Sequence, residues 1–304
     1  MRSYVVVDVF TDEPLQGNPA AVFLGAAGLS DETMQRAARE LNLSETVFLF
    51  EAEAEAEAEA EAEAEAEAEA EAEGEGEGED RAEARARIFT PAAELPFAGH
   101  PLLGTAFVLG EQLGLETVRL QTGVGVIAIE LRRERERVVF GEMRQPIPSW
   151  EPFEAADELL AALGVRRSGL PIEIYSNGPR HVFVELGSEA EVSSLRPDLH
   201  ALAQLGQLGV SCFAASSGQV KTRMFGPGLG VADDPATGSA AGPLAVHLAR
   251  HGRIRFGDRI EIHQGAEIGR PSVLFAQAHG TAEAIERVTV GGAAVIVARG
   301  EYRL

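Results

Sequence analysis

The chain has 304 residues, 26 basic and 48 acidic, for a formal charge of −22. Residues 51–80 carry 15 Glu, one Asp and no basic residue, and removing those 16 charges leaves an ordinary −6. No basic stripe exists to grip nucleic acid, no run approaches the ~18 apolar residues that span a bilayer, and the single cysteine, Cys212, leaves no internal disulfide. One thiol fits a reducing compartment. The opening Val5-Val6-Val7, broken by Asp8, is too short for a signal-peptide core and reads as a strand. These features predict a soluble, cytoplasmic protein. The ~274 residues outside the acidic tract suffice for two domains or one large one, with sizeable cores.

Tyr4 to Phe10 and Pro19 to Leu24 are apolar, β-like runs separated by a turn-like Asp12 to Asn18. Ser30 caps a predicted helix whose first turn holds Asp31 and Glu32, with Met34, Ala37, Ala38 and Leu41 at helical spacing. Thr46 to Phe50 is a strand, and β character resumes at Arg85 to Thr90. Between them, the Glu-Ala alternation puts like charges at i,i+4 and offers no apolar face, so 51–80 is expected to be a solvated excursion or an acidic interaction arm.

A second apolar helix is predicted from Gly99 to about Leu113, then strands at Val118 to Gln121, Val124 to Leu131 and Val138 to Met143. Glu154 to Leu163 reads as helix. Ile172 to Tyr175 and His181 to Leu186 read as strands about the turn Ser176-Asn177-Gly178-Pro179. A short helix at Leu199 to Leu205 and a strand at Ser211 to Ala215 follow. Thr237 to Arg250 is a strong helix stopped by Gly252. Strands fill Arg259 to His263, Val273 to Ala278, Val288 to Val290 and Ala294 to Ala298. Each half thus has many short strands and one long apolar helix. The pattern predicts a buried helix wrapped by antiparallel strands, once per half.

Three segments could carry chemistry. In Asp234-Pro235-Ala236-Thr237-Gly238-Ser239 a helix start offers free N–H groups to an anion, and Gly238 removes the side chain that would block approach. Read alone, it fits equally a tightly packed helix capped by Thr237 or Asp234. In Glu94-Leu95-Pro96-Phe97-Ala98-Gly99-His100-Pro101, Pro101 suits the first helical position, and His100 at the helix mouth has its charged form disfavoured. A structural histidine is the plain alternative. In Asn42-Leu43-Ser44-Glu45-Thr46-Val47-Phe48, Glu45 abuts an apolar strand, which raises its proton affinity toward acid–base use. An exposed strand-start Glu is the alternative there.

Other groups read as structural. His247 and His251 share a helix face, but no third metal ligand is evident and no metal is expected. Gly226-Pro227-Gly228-Leu229-Gly230 matches no nucleotide-binding pattern and reads as a loop. Cys212 reads as a buried strand residue, and no Gly-x-Ser-x-Gly elbow occurs.

Taken in order, these segments resemble the PhzF-like phenazine-biosynthesis family. Val7-Asp8-Val9-Phe10-Thr11, Gly17-Asn18-Pro19-Ala20-Ala21-Val22-Phe23, the three motifs above, Gln264-Gly265 through Arg270-Pro271-Ser272, and Val290-Gly291-Gly292 with Gly300-Glu301 all match, over the chain except 51–80. The resemblance implies an α+β, diaminopimelate epimerase-like fold of two similar domains, each a sheet around a central helix. The first domain would hold 1–116 and 290–304, the second 117–289, with the active site in the cleft. It also implies a homodimer and an isomerase without cofactor that moves a hydrogen between ring carbons of a dihydro-hydroxyanthranilate. Glu45 would shuttle the proton, His100 and Asp234 would join it, Ser239 would line the site as a substrate-binding residue, and the backbone at Gly99 and Gly238 would hold the substrate carboxylate.

Ala98 stands where some relatives carry cysteine, and Cys212 lies outside both helix mouths, so two-thiol racemisation is excluded. The leading expectation is an isomerase of a small, carboxylated, amino-bearing molecule. Amino-acid epimerisation by Glu45 with Asp234 or His100 is the second, and a non-catalytic binder of a metabolite or protein is the third.

Overall fold

The computed structural model describes residues 1–52, 82–216 and 218–304, so the expectation for the acidic tract falls almost wholly outside the described residues. The first half runs β1 (Arg2–Val9), β2 (Asn18–Phe23), α1 (Asp31–Leu41), β3 (Glu45–Phe50), β4 (Ala84–Phe89), β5 (Glu94–Leu95), α2 (Gly99–Leu113), β6 (Thr117–Thr122), β7 (Gly125–Glu134) and β8 (Arg137–Gln145). The second half runs β9 (Ser149–Pro152), α3 (Ala156–Leu163), β10 (Glu173–Ser176), β11 (Arg180–Glu185), α4 (Glu189–Ser194), α5 (Leu199–Gln204), β12 (Gly209–Ser216), β13 (Gln219–Gly226), β14 (Val231–Asp234), α6 (Gly238–Arg250), β15 (Arg259–Gln264), β16 (Ser272–Gly280), β17 (Ile285–Gly292) and β18 (Ala294–Tyr302).

Both central helices are apolar on nearly all sides, which requires burial rather than one covered stripe. Strands β1, β2, β3, β6, β7, β8 and β18 surround α2, while β11, β15, β16 and β17 pack on α6. Leu102, Leu103, Ala106 and Phe107 of α2 and Leu244, Ala245 and Leu248 of α6 belong to one continuous core. Burying one such Leu or Phe contributes about 1.5–3 kcal/mol. Helix α2 stops where Gly114 turns left-handed (φ 73°) and returns its N–H to Gly110 O.

Most strand pairs are antiparallel as expected, but β2–β3, β4–β6, β11–β12 and β13–β15 run parallel. Parallel neighbours need a crossover, and each of these pairs has one or two helices between its strands. Helix α2 lies between β4 and β6, and α6 between β13 and β15. The central helices are therefore themselves crossovers, which brings their first residues out of neighbouring strands toward one place.

The last strand, β18, pairs along β1 from Arg2↔Tyr302 to Val9↔Ala294. Strands β6–β8 contact α2, and β8 also pairs with β17. From this packing we propose that the division between the halves falls near Pro146, rather than at 116. A separate apolar cluster under α3 and α5 holds Cys212, which is fully buried in β12, in line with its reading as a strand residue.

Candidate active site

The starts of α2 and α6 meet backbone to backbone. A Cβ on Gly99 would lie 3.0 Å from the Gly238 carbonyl carbon and 3.2 Å from Ser239 N, and one on Gly238 would lie 3.1 Å from His100 N. Glycine at both positions permits this approach. Neither helix start has a side-chain cap, so the first N–H groups of both are open to a ligand. Thr237 occupies the cap position of α6, but its hydroxyl donates instead to Asp234 Oδ2 at 2.6 Å, and Asp234 ends β14. The capping alternative for this segment therefore does not hold. Pro101 is the third helical residue rather than the first, still within the turn where no N–H is needed.

A cavity of about 450 Å³ opens over this junction and is lined by Glu45, Gly99, His100, Asp234, Gly238 and Ser239, all six of the residues singled out from sequence. A wider cleft of about 1100 Å³ lies elsewhere, beside Arg167 and Arg253. Its Glu185 is neutralised by Arg253 at 2.6 Å, and neither helix start reaches it. The smaller cavity is the one that gathers acid–base groups.

Glu45 opens β3, beside Ala20 of β2. Its Oε2 lies 3.1 Å from His100 Nε2, yet the ring is not angled to donate to it, and both atoms are buried. Burial first, and the nearby Asp234 charge second, hold the Glu45 carboxyl well above the usual carboxylate range. His100 is pulled down to about 3 by burial, against a hydrogen bond to the Pro19 backbone. With the ring N–H committed to the Pro19 carbonyl, Nε2 carries a lone pair and faces Glu45 Oε2 across the 3.1 Å gap.

Asp234 is held from two sides. Asn18 Nδ2 donates to its Oδ1 at 3.0 Å and the Thr237 hydroxyl to Oδ2. Burial pushes Asp234 up to about 7, these two donors restrain it, and Asp233 adds to the rise. Asn18 also reaches Ala236 O at 2.8 Å, and Gln264 bonds Asp234 O at 2.8 Å and Thr237 Oγ1 at 2.9 Å. Behind Asn18, Arg270 donates to Gly17 O, Gln16 O and the buried Asp8, each at 2.7 Å. The pair of buried Asp8 and half-buried Arg270 thereby fixes the turn that aims Asn18.

Further groups were not marked in the sequence. Pro243 has no N–H, so the Ser239 carbonyl loses its partner inside α6. Asn177 Nδ2 supplies one at 3.0 Å. Gln145 Nε2 binds Gly238 O at 2.9 Å, and a Cβ on Gly242 would lie only 2.4 Å from Gln145 Oε1. His181 of β11 lies with Nε2 3.0 Å from Ser239 Oγ. The helical proline was the one local signal that α6 needed an outside donor.

His247 and His251 do find a third group, Glu173 of β10, with ligand atoms of all three within 4.8 Å of one another. Arg250 donates to the same Glu173 oxygen at 2.8 Å and lies 4.1 Å over the Trp150 ring. Burial raises Glu173, but bonds from His247, His251, Arg250 and Tyr175 outweigh it and hold the carboxyl far below its usual range. The guanidinium already serves as the cation of this cluster.

A family model described as phenazine biosynthesis-like protein matches residues 7–300. The trans-2,3-dihydro-3-hydroxyanthranilate isomerase of Pseudomonas aeruginosa is 48% identical over 304 residues, with 100% of each chain covered. Among solved structures, a phenazine biosynthesis protein of the PhzF family from Bacillus anthracis matches with a TM-score of 0.79 at 24% identity, over 100% of this chain and 99% of that one. An epimerase predicted in Pseudomonas aeruginosa matches at 0.78 and 31%, over 99% of each chain. The epimerase-like fold expected from the motifs is the fold observed. The chain belongs to the phenazine biosynthesis-like protein family and is an isomerase.

Proposed function

We propose that this isomerase moves a hydrogen between two carbons of a small, carboxylated, amino-bearing ring of the trans-2,3-dihydro-3-hydroxyanthranilate type, with Glu45 as the proton carrier and no cofactor. The observation that carries this reading is the convergence of Glu45, His100 and Asp234 on one cavity at the meeting point of two uncapped helix starts. The substrate carboxylate sits against the N–H groups at Gly99 and Gly238–Ser239, where both helix dipoles favour an anion. Its ring then faces Glu45.

A carboxyl whose charged form is disfavoured is a stronger base when ionised, and even as a weaker acid it can still protonate the far more basic carbanion. One group can therefore take a proton from one carbon and return it to another. His100, accepting at Nε2, aims the Glu45 proton. Asp234 keeps that proton in place by its charge. The helix starts stabilise negative charge that spreads toward the carboxylate as the C–H bond breaks.

Asp234, itself pushed up to about 7, supports a second reading. Two carboxyls beside one ligand, one ionised to take a proton and the other protonated to give one to the opposite face, are also what inversion at a single carbon requires. The third expectation, a non-catalytic binder, does not fit an isomerase family. The enzyme works as a homodimer in this reading, which light scattering on a sizing column checks.

The experiment follows solvent deuterium into trans-2,3-dihydro-3-hydroxyanthranilate and a panel of amino acids by NMR, for wild type and Glu45→Gln. Double-bond migration lost in the variant supports the first reading. Exchange with inversion at one carbon favours the second. Undiminished exchange by the variant removes Glu45 from the mechanism.

A further inference from the structure

We propose that His181 is a positioning residue that fixes the Ser239 hydroxyl as a hydrogen-bond donor to the substrate carboxylate. This rests on the reading of the two helix starts as the carboxylate seat.

His181 is 1% exposed and lines the same cavity as Ser239. Its Nε2 lies 3.0 Å from Ser239 Oγ, and its Nδ1 is buried with no partner among the described residues. The residue opposite His181 in the parallel β11–β12 register is Gly209. A Cβ there would lie 2.7 Å from Nδ1, so the Gly209 backbone packs against that side of the ring, where only a residue without a side chain fits. Burial keeps the ring neutral by pulling it down to about 4.

A neutral ring carries one proton, and the surroundings choose the nitrogen. A buried N–H with no acceptor is rarer and costlier than a bare lone pair. The proton therefore sits on Nε2 and is donated to Ser239 Oγ. That bond uses a lone pair of the serine oxygen and turns its own hydrogen elsewhere. Ser239 is the second residue of α6, so its hydroxyl stands beside the open N–H groups of the helix start. It adds an O–H donor to them. In the other tautomer Ser239 would donate to the histidine and present only lone pairs to an incoming carboxylate, which would repel it.

The test uses two measurements on the intact chain. Long-range ¹H–¹⁵N NMR reports which ring nitrogen of His181 is protonated. Calorimetry reports the Kd of 3-hydroxyanthranilate, an aromatic probe that keeps the carboxylate, amino and hydroxyl groups but has no sp³ ring carbon to react. Expected are a protonated Nε2 and a bare Nδ1. The probe should also bind about tenfold or more weakly in His181→Phe and in Ser239→Ala, as loss of a hydrogen bond to a charged group implies. Adding His181→Phe to Ser239→Ala should weaken it by less than about twofold more. His181→Gln keeps an amide donor within reach and should recover most of the binding.

A proton on Nδ1, or an equal loss from His181→Phe with and without Ser239, overturns the proposal and leaves His181 a packing residue. Failure of the wild type to bind the probe overturns the carboxylate seat together with it. Deuterium exchange by Glu45→Gln tests the proton carrier separately.

Discussion

Glu45 Oε2 and His100 Nε2 lie 3.1 Å apart, each buried and each without another partner among the described residues. The ring's N–H is spent on Pro19, so only the protonated carboxyl can bridge the two. Removing that proton should halt the reaction without harming the fold. Glu45→Gln keeps size and burial, and its turnover should fall by about 10²–10⁴-fold, the range for loss of a general acid–base group. Single-turnover NMR measures the loss. A melting temperature at pH 8 no lower than wild type would show that the fold is intact.

Asp234 is the second cause of the raised Glu45 proton affinity. Its neutralisation in Asp234→Asn should lower the Glu45 midpoint while leaving the larger burial effect. A ¹³C titration of the Glu45 carboxyl should therefore give a midpoint above 4.5 in both proteins and lower in the variant. An unchanged midpoint would show that the two carboxyls do not sense each other.

The same residue sets a sign for stability against pH. Asp234 has a folded value of about 7 against 3.8 for a solvated aspartate, so the folded chain holds this proton more tightly than the unfolded one. Its contribution is fully present below about pH 3.8 and is lost as pH rises through about 7. Each tenfold change in proton affinity is worth about 1.4 kcal/mol, so a loss of a few kcal/mol is expected across that window. Asp234→Asn should flatten this part of the curve. Urea midpoints from pH 4 to 8 check it, with the difference between the two proteins changing steadily as pH rises.

Gly99→Ala should separate the two helix starts, because the new methyl meets backbone that cannot turn aside. Overpacking costs about 1–3 kcal/mol, but displacement at the site should cost about 10²-fold in turnover. Gly110→Ala is the control. At the other end of α2 its methyl would meet Leu131 Cδ1 at 2.2 Å. It should lose comparable stability and keep turnover within about threefold. Equal kinetic losses in both would mean that the helix junction has no special role.

Cys212 is fully buried and lies outside the cavity lining, and burial pushes its thiol up to about 12. Iodoacetamide at pH 8 should leave the native chain unlabelled and active, and should label it only in denaturant. Rapid native labelling with loss of activity would reopen a thiol mechanism.

Much of this was readable in the chain. Glu45, His100 and Asp234 lie in compact segments whose apolar neighbours and helix starts announce their surroundings. Strand β13 was not readable, because Lys221 and Arg223 disguise it as a polar stretch. Both are buried and neutralised across the fold, Lys221 by Glu267 at 2.8 Å and Arg223 by Asp233 at 2.6 Å. His181 and Asn177 escaped for another reason. Their value depends on strand register and on the missing N–H of Pro243, and neither is visible in residues next to them. For His100, burial lowers the proton affinity in the direction expected at a helix mouth, and how deeply the ring is buried depends on packing that its neighbours in sequence do not show.

Strands β3 and β4 pair directly, with Phe50 opposite Arg85, while Glu45 stands at the other end of β3. The chain between them only has to close a hairpin that the strands already define. For a flexible connection, doubling its length costs about 0.6 kcal/mol. The pairing of Phe50 with Arg85 thereby separates whatever chain joins the two strands from the catalytic carboxyl by the length of β3.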